Sequence, residues 1–328
     1  MRDGNRTEPF PNPLAPLTNS IVVGMTKQFK QARATQLTSI VRHAAGIAVL
    51  AGLAAGVLAA PASVGATTAP SGTPTTLFKF RNPAINESSG IALADGVYWT
   101  HNDGPVNKFY AVNSGGYTLA TFTVPNQPTS GSDWEDMATG TDEQGVPSLF
   151  FGDIGDNGRT RKEIAVVRVA RPKVDTAKLA VVGTATNVVR YRFTYPDGAH
   201  DAESLLVQPG TNRIFIVSKA AGGGIYSAPA KPSTTTVNTL TKIGTVTIPG
   251  ATGASFSTDG KKMVVRQYRN AALYTVNNGD LTAAIKTTPV SLTMPSQLQG
   301  EAITFAPGSS TFVLSSEGQY APTLSQIS

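Results

Sequence analysis

The chain has 328 residues, with 27 lysines and arginines, 21 aspartates and glutamates, and no cysteine. The lack of cysteine excludes disulfide bonds and zinc sites held by thiolates. Residues 1–66 hold six of the bases and two of the acids, which leaves 21 bases and 19 acids, a net charge of +2, in the remainder. A net charge of +2 is too small to provide a basic surface that neutralises nucleic-acid phosphates, so we predict no nucleic-acid partner.

Residues 1–66 predict a leader ahead of the folded domain. A basic segment from Met25 precedes an apolar run over 44–60 and small residues up to Ala66. This order is typical of a secretory signal cleaved near Ala66, and we interpret the residues before Met25 as an upstream extension. A retained membrane anchor is the alternative, because the apolar run is just long enough to span a bilayer. We therefore predict a secreted protein without stable membrane insertion after cleavage. The predicted divisions are an extension and signal over 1–66, a flexible linker over 67–75 and one domain over 76–328.

The domain begins with a strand-like segment, TLFKFRN at Thr76, and then repeats one layout five times. Each repeat opens with a small or acidic residue followed by an aliphatic strand, and further strand-like segments follow. The openings are NESSGIAL at Asn86, DWEDMATG at Asp133, DAESLLVQ at Asp201, TGASFSTD at Thr252 and QGEAITFA at Gln299. We match the repeats at Glu87, Glu135, Glu203, Ala254 and Glu301. Four repeats contain four strands, and the fifth lacks its last one.

Units of four strands that recur every forty to fifty residues or so are typical of a β-propeller. We predict an all-β propeller of five four-stranded blades, in which the strand at Thr76 completes the last blade and closes the ring. A sixth blade inside the insert 171–187 is one alternative. A β-sandwich is another, although it would explain neither the period nor the unassigned first strand.

Acidic residues recur at one end of each predicted blade. Antiparallel strands reverse direction, so the start of the first strand and the end of the second lie at the same rim of the channel. We predict that this rim binds a ligand through Glu87, Asp103, Asp201, Glu203, Lys219, Arg266, Glu301 and Glu317.

A ring of carboxylates repels itself unless cations or internal bases offset its charge. Calcium takes six to eight oxygen ligands, which several blades can supply together. Internal pairing with Lys219 and Arg266 is an alternative, as is hydrogen bonding of the glutamates to backbone amides of neighbouring blades. The predicted metal ligands are Asp133, Glu135, Asp153, Asp156, Glu203 and Glu301. The predicted catalytic residues are Glu135, Asp153 and His101, with acid–base roles for which a structural role is the alternative. Trp99 is predicted to pack in the core, and Trp134 is predicted to pack between blades, with the wall of a ligand pocket as its alternative role.

The motifs ESSGIA, DWEDMA, GDIGDN, DAESLL and QGEAITF, in this order, resemble a group of exported bacterial propeller proteins of largely uncharacterised function. At greater distance they are similar to phytase-like and SdiA-regulated-type propellers. The likeness to phytase-like propellers implies a calcium-holding acidic face, with Glu87, Asp133, Glu135, Asp153, Asp156, Glu203 and Glu301 as candidates. This chain departs from that pattern in its five predicted blades and its few basic rim residues.

Two functions are consistent with this sequence. The first is a hydrolase that depends on calcium or another divalent cation and acts on an extracellular ester, phosphoester or glycoside. The second is a non-catalytic module of the cell envelope that binds a small molecule, a glycan or a protein. We expect a monomer in either case.

Overall fold

The computed structural model describes residues 74–128, 130–220, 222–308, 310–317 and 323–327. The chain divides after Val64 into two units, and all described residues belong to the second, Gly65–Ser328. The predicted signal, and the alternative of a retained anchor, lie outside the described residues. None of the helical structure in the described part has the length and apolarity needed to cross a membrane.

The described domain consists of β-strands arranged in five sheets, with one short helix, α1 (Leu281–Ala284), capped by Asp280. We number the sheets as blades 1 to 5 in the chain order of their innermost strands. Blade 1 contains β2 (Ser88–Ala94), β3 (Val97–Asn102), β4 (Lys108–Val112) and β5 (Thr118–Thr123). Blade 2 contains β6 (Trp134–Thr141), β7 (Pro147–Asp153), β8 (Ile164–Ala170) and β10 (Val189–Thr194). Blade 3 contains β11 (Ala202–Val207), β12 (Ile214–Ser218), β13 (Gly224–Ser227) and β15 (Thr241–Thr245).

The last two blades complete the ring. Blade 4 contains β16 (Gly253–Phe256), β17 (Lys262–Arg266), β18 (Asn270–Thr275) and β19 (Val290–Thr293). Blade 5 contains β20 (Gln299–Phe305), β21 (Phe312–Glu317), β22 (Thr323–Ile327) and β1 (Thr75–Lys79). The innermost strands contact one another in the order β2, β6, β11, β16 and β20, and β20 contacts β2. The five sheets therefore surround one axis, which confirms the predicted β-propeller.

Strand β1 closes the ring as the sequence predicts. It pairs antiparallel with β22, from Thr75 opposite Gln326 to Lys79 opposite Thr323, and so forms the outer strand of blade 5. Phe78 of β1 is buried and makes edge-to-face contacts with Phe80 and Tyr98. The first strand of the domain thus joins the last blade, and neither end of the sheet series is left open.

The insert 171–187 does not form a sixth blade. Its strand β9 (Val181–Thr184) pairs in parallel with β5 and adds a fifth strand to the outside of blade 1. The short strand β14 (Asn238–Thr239) adds to blade 2 in the same way. The six-blade alternative is therefore wrong for the described chain.

Burial follows position in the blade. Strands β11 and β12 are buried along their whole length, because other strands or blades cover both of their faces. Farther out, β10 alternates, with Tyr191 and Phe193 buried and Arg192 exposed. Between blades 1 and 2 the core contains Trp99 and Trp134, which confirms that both tryptophans pack.

Candidate functional site

The motif glutamates sit on β-bulges at one rim of the channel. In blades 1, 2, 3 and 5 the innermost strand has one extra residue opposite the second strand, whereas the pairing in blade 4 is continuous. Glu135, Glu203 and Glu301 occupy these bulges. A bulge re-aims the side chain that it carries, so each glutamate turns away from the regular alternation of its strand.

The register corrects the sequence matching in two blades. Ser89, and not Glu87, occupies the bulge of blade 1. The amide of Leu205 in blade 3 donates to Asp136, and the amide of Ala254 in blade 4 does the same. Glu203 lies two residues before Leu205, so its equivalent in blade 4 is Thr252, two residues before Ala254. The hydroxyl of Ser89 donates to the Glu135 carbonyl (2.5 Å), and that of Thr252 donates to the carbonyls of residues 300 and 301. In blade 1 the bulge residue, and in blade 4 the residue at the equivalent position, therefore tie the inner strand to the neighbouring blade.

Three carboxylates converge where blades 1 and 2 meet. Asp103 follows β3, Asp133 precedes β6 and Glu135 lies within β6, and each offers an oxygen within 4.8 Å of the others. Glu135 is buried and the two aspartates are half-buried. We call these residues the acidic triad. A buried cluster of hard oxygen donors of this kind could hold a metal ion.

The GDIGDN loop passes directly beside the triad. A β-carbon on Gly155 would lie 2.1 Å from Oε1 of Glu135 and 2.5 Å from Oδ2 of Asp133. Only glycine permits this approach, so the loop forms one wall of the site through its backbone.

Further charged side chains extend the site across the channel. Glu203, Glu301 and Glu317 come from blades 3 and 5, and Lys219 Nζ donates to Oε1 of Glu203. Oε2 of Glu203 and Oδ1 of Asp103 are buried and have no hydrogen-bond partner in the described part of the chain. Such atoms are costly unless a ligand, an ion or water satisfies them.

Crowding of the acids shifts their titration. Burial and the charge of Asp133 raise the pKa of Asp103 to about 6. Burial raises the pKa of Glu203 to about 8, although Lys219 opposes the shift. Burial and the charge of Glu301 raise the pKa of Glu317 to about 9. Burial and the charge of Asp103 also raise the pKa of Glu135 well above its usual range. Without added cations the site therefore retains protons near neutral pH.

We expect the metal-free protein to lose stability as pH rises from 5 to 9. The folded state keeps the protons of Glu203 and Glu317 up to about pH 8 and 9, whereas the unfolded chain releases them near pH 4.5. Their stabilising contribution is thus complete below pH 4.5 and is lost as pH rises through the folded pKa values. Each retained proton gives a slope of about 1.4 kcal/mol per pH unit. Thermal melting in EDTA measures this slope, and Glu317→Gln should flatten it. A melting temperature that is constant or rises over this range would contradict the assignment.

Asp153, Asp156 and Asp201 are engaged in structural contacts. Asp153 is fully buried between Arg161 and Arg190, and its Oδ1 also accepts from the Asp133 amide (2.8 Å). Asp156 accepts from the amides of residues 160 and 161 and caps its own turn. Asp201 accepts from the Asp156 amide (2.9 Å), which links blades 2 and 3. The predicted catalytic and metal roles of Asp153 and Asp156 stay predictions, and the geometry favours a structural role for both.

His101 is sealed in the core. Its ring is fully buried against Trp134 and Phe151, and its Nδ1 lies 2.8 Å from the Asn102 carbonyl. Burial lowers the pKa of His101 to about 4, so the ring is neutral at pH 7. Its predicted catalytic role gains no support from this position.

Arg266 is fully buried beneath blade 5. Its guanidinium donates to the carbonyls of Ala302 (2.7 Å) and Ser315 (3.1 Å) and to Gln297. A β-carbon on Gly300 would lie 1.9 Å from its Nη2, so this glycine makes room for the arginine. Burial lowers the pKa of Arg266 to about 10. Arg266 therefore supports the backbone under Glu301 and does not present its charge to a ligand.

Asp136 has a structural role that the sequence does not predict. Its side chain is buried, and Oδ1 accepts from the Met137 amide (2.8 Å). Oδ2 accepts from the amides of Leu205 (2.9 Å) in blade 3 and Ala254 (3.3 Å) in blade 4. One carboxylate thus connects the inner strands of blades 2, 3 and 4. The alternative predicted for the motif glutamates, hydrogen bonding to backbone amides of neighbouring blades, describes the contacts of Asp136, the residue that follows Glu135.

Comparison with known proteins adds no functional assignment. No protein family matches the chain, and no curated protein does so either. The chain is similar to a solved glucose dehydrogenase, with 10% identity and a TM-score of 0.42 over 78% of this chain and 99% of that one. It is also similar to the crystal structure of Chaetomium thermophilum Raptor, with 10% identity and a TM-score of 0.38 over 77% of this chain. The match spans 29% of the Raptor chain. Likeness at this level carries no functional argument, and the resemblance to phytase-like propellers stays a prediction.

Proposed function

We propose that the acidic face binds a divalent cation, calcium, at the triad of Asp103, Asp133 and Glu135. The observation that carries this proposal is the convergence of three carboxylate oxygens within 4.8 Å at a mostly buried position. Calcium prefers carboxylate and carbonyl oxygens and tolerates irregular geometry, which suits a site assembled from two blades and a loop. The unpartnered Oδ1 of Asp103 supports the same conclusion.

We further propose that the bound cation serves ligand binding by an extracellular protein. The extracellular location rests on the sequence pattern of residues 25–66. Of the three predicted catalytic residues, His101 is sealed in the core and Asp153 is paired with two arginines, which leaves Glu135 alone at the triad. The geometry therefore favours the binding role over hydrolysis of an ester, phosphoester or glycoside. A screen of hydrolase activity that compares the wild type with Glu135→Gln tests the hydrolytic role. Equal rates in the two proteins would remove Glu135 from any hydrolytic mechanism.

Calcium is expected to raise the melting temperature of the wild-type protein. An ion present at one hundred times its dissociation constant stabilises the folded state by about 2.7 kcal/mol, which corresponds to roughly 5–10 °C for a domain of this size. Asp133→Asn should abolish the increase, because it removes one ligand and one charge. Melting with EDTA and with calcium measures both effects.

Asp95→Asn provides the matched control. The Asp95 side chain is 76% exposed and pairs with Arg171 away from the triad, so the calcium response should persist in this variant. A wild-type protein whose melting temperature is the same in EDTA and in calcium would refute the metal site.

A further inference from the structure

The acidic face contains a second region that the triad does not use. Glu203, Glu301 and Glu317 are buried, and they are not gathered into a group as tight as the triad. A divalent ion needs several oxygens within about 2.6 Å of itself, which this wider spacing does not provide. A primary ammonium group tolerates a wider arrangement, because its hydrogen bonds to carboxylates are about 2.7–2.9 Å long and point in three directions.

One buried oxygen in this region, Oε2 of Glu203, lacks a hydrogen-bond donor among the described residues. The Glu203 side chain is 8% exposed, its Oε1 accepts from Lys219, and its Oε2 has no hydrogen-bond partner in the described part of the chain. A buried carboxylate oxygen without a donor is unfavourable, because it has lost water and gained nothing. The position is therefore prepared for a donor that comes from outside the chain.

Lys219 shows which kind of donor the region accepts. Its ammonium lies against Glu203 and 5.7 Å from the centre of the Tyr268 ring, and the lysine side chain is 28% exposed. Carboxylates combined with an aromatic face are the usual surroundings of a bound ammonium group. The chain thus already places one ammonium here.

The charge balance leaves room for one more positive charge. The positive charge of Lys219 acts on Glu203, and the charges of Lys219 and Arg266 act on Glu301. Two of the three carboxylates are therefore offset by bases of the chain. Glu317 accepts from Gln299 Nε2 (3.1 Å), and no described lysine or arginine forms an ion pair with it. Glu203 and Glu317 hold protons in the empty site near neutral pH, and a single cation between them would replace those protons and balance the region.

We propose that this region binds the primary ammonium group of a ligand, between Glu203 and Glu317 and beside Lys219. The proposal rests on the proposed function in one respect, that the acidic face is the ligand-binding face. The cation site at the triad and the ammonium site here use different carboxylates, so they fail separately.

The test is titration calorimetry of the full chain with 1,5-diaminopentane in the presence of calcium. 1,5-Pentanediol, which has the same length and no charge, is the matched probe. The diamine should bind and the diol should not. Glu203→Gln and Glu317→Gln should each weaken diamine binding about tenfold or more, since each removes a charged hydrogen bond. Asp95→Asn should leave the affinity unchanged.

Lys219→Gln separates a binding role from a structural one. This substitution frees Oε1 of Glu203, so it should strengthen diamine binding about tenfold, whereas loss of structure would weaken it. Equal diamine affinity in the wild type and both glutamine variants would overturn the proposal, as would equal binding of the diol. Calcium titration of the same proteins tells the two failures apart. If calcium binds and the diamine does not, the ammonium site is wrong, and if calcium alone fails, the triad is wrong.

Discussion

Deletion of Thr76–Asn82 is expected to abolish cooperative unfolding of the propeller. The deletion removes most of β1, and with it the backbone pairing to β22 and the buried rings of Phe78 and Phe80. Truncation of a buried phenylalanine to alanine costs about 3–5 kcal/mol, so the loss of both rings costs roughly 6–10 kcal/mol. This approaches the whole stability of an ordinary domain, about 5–15 kcal/mol. Circular dichroism during heating measures the result.

Two point variants keep this prediction testable if the deleted protein does not express. Phe78→Ala should lower the free energy of unfolding by about 3–5 kcal/mol, because it empties a packed position on β1. Lys79→Ala, on the next and exposed residue of the same strand, should have an effect within about 0.5 kcal/mol. A deleted chain that melts like the intact protein would show that β1 does not close the ring.

Asp136→Ala is expected to destabilise the protein by about 3–5 kcal/mol. The substitution removes the acceptor of three amides, those of Met137, Leu205 and Ala254, and leaves them buried without a partner. Asp136→Asn should also destabilise, because it keeps one acceptor oxygen and places an amide nitrogen against backbone donors. Urea unfolding of the variants and the wild type gives the difference in free energy.

Asp95→Ala is the control, because it also removes a carboxylate next to an inner strand. Asp95 directly follows β2, the inner strand of blade 1. Its side chain is largely exposed, and its pair with Arg171 should contribute at most about 1 kcal/mol. If Asp136→Ala and Asp95→Ala have the same midpoint of unfolding, Asp136 does not connect the blades.

The sequence predicts the architecture of this protein well, because the architecture follows from local patterns. Apolar strands bounded by turns repeat with nearly constant spacing, and such units bury their faces by packing against one another around an axis. The strand-like segment at Thr76 has no repeat of its own, and the last repeat lacks a strand, so the sequence predicts that the segment completes that repeat. The structure agrees, because β1 pairs with β22. The insert 171–187 contains one strand, β9, which is too little for a blade.

The site is predicted less completely, because its geometry depends on bulges and on distant partners. Matching on the conspicuous Glu87 shifted blade 1 by two residues, since a serine at the bulge gives no signal in the sequence. The role of Asp153 depends on Arg161 and Arg190, which only the fold brings to it. That of Asp136 depends on backbone amides of two other blades, and backbone amides carry no residue-specific pattern.

The position of Asp136 bears on how an ion would reach the proposed site at the triad. Its side chain is buried and accepts from amides of three inner strands, so Asp136 itself offers no surface to an ion or a ligand. An ion bound at the proposed site would enter and leave on the side of the triad, which is also the side proposed for the ligand. A ligand bound on that side would hold the ion in place, and the ion would exchange only as often as the ligand departs.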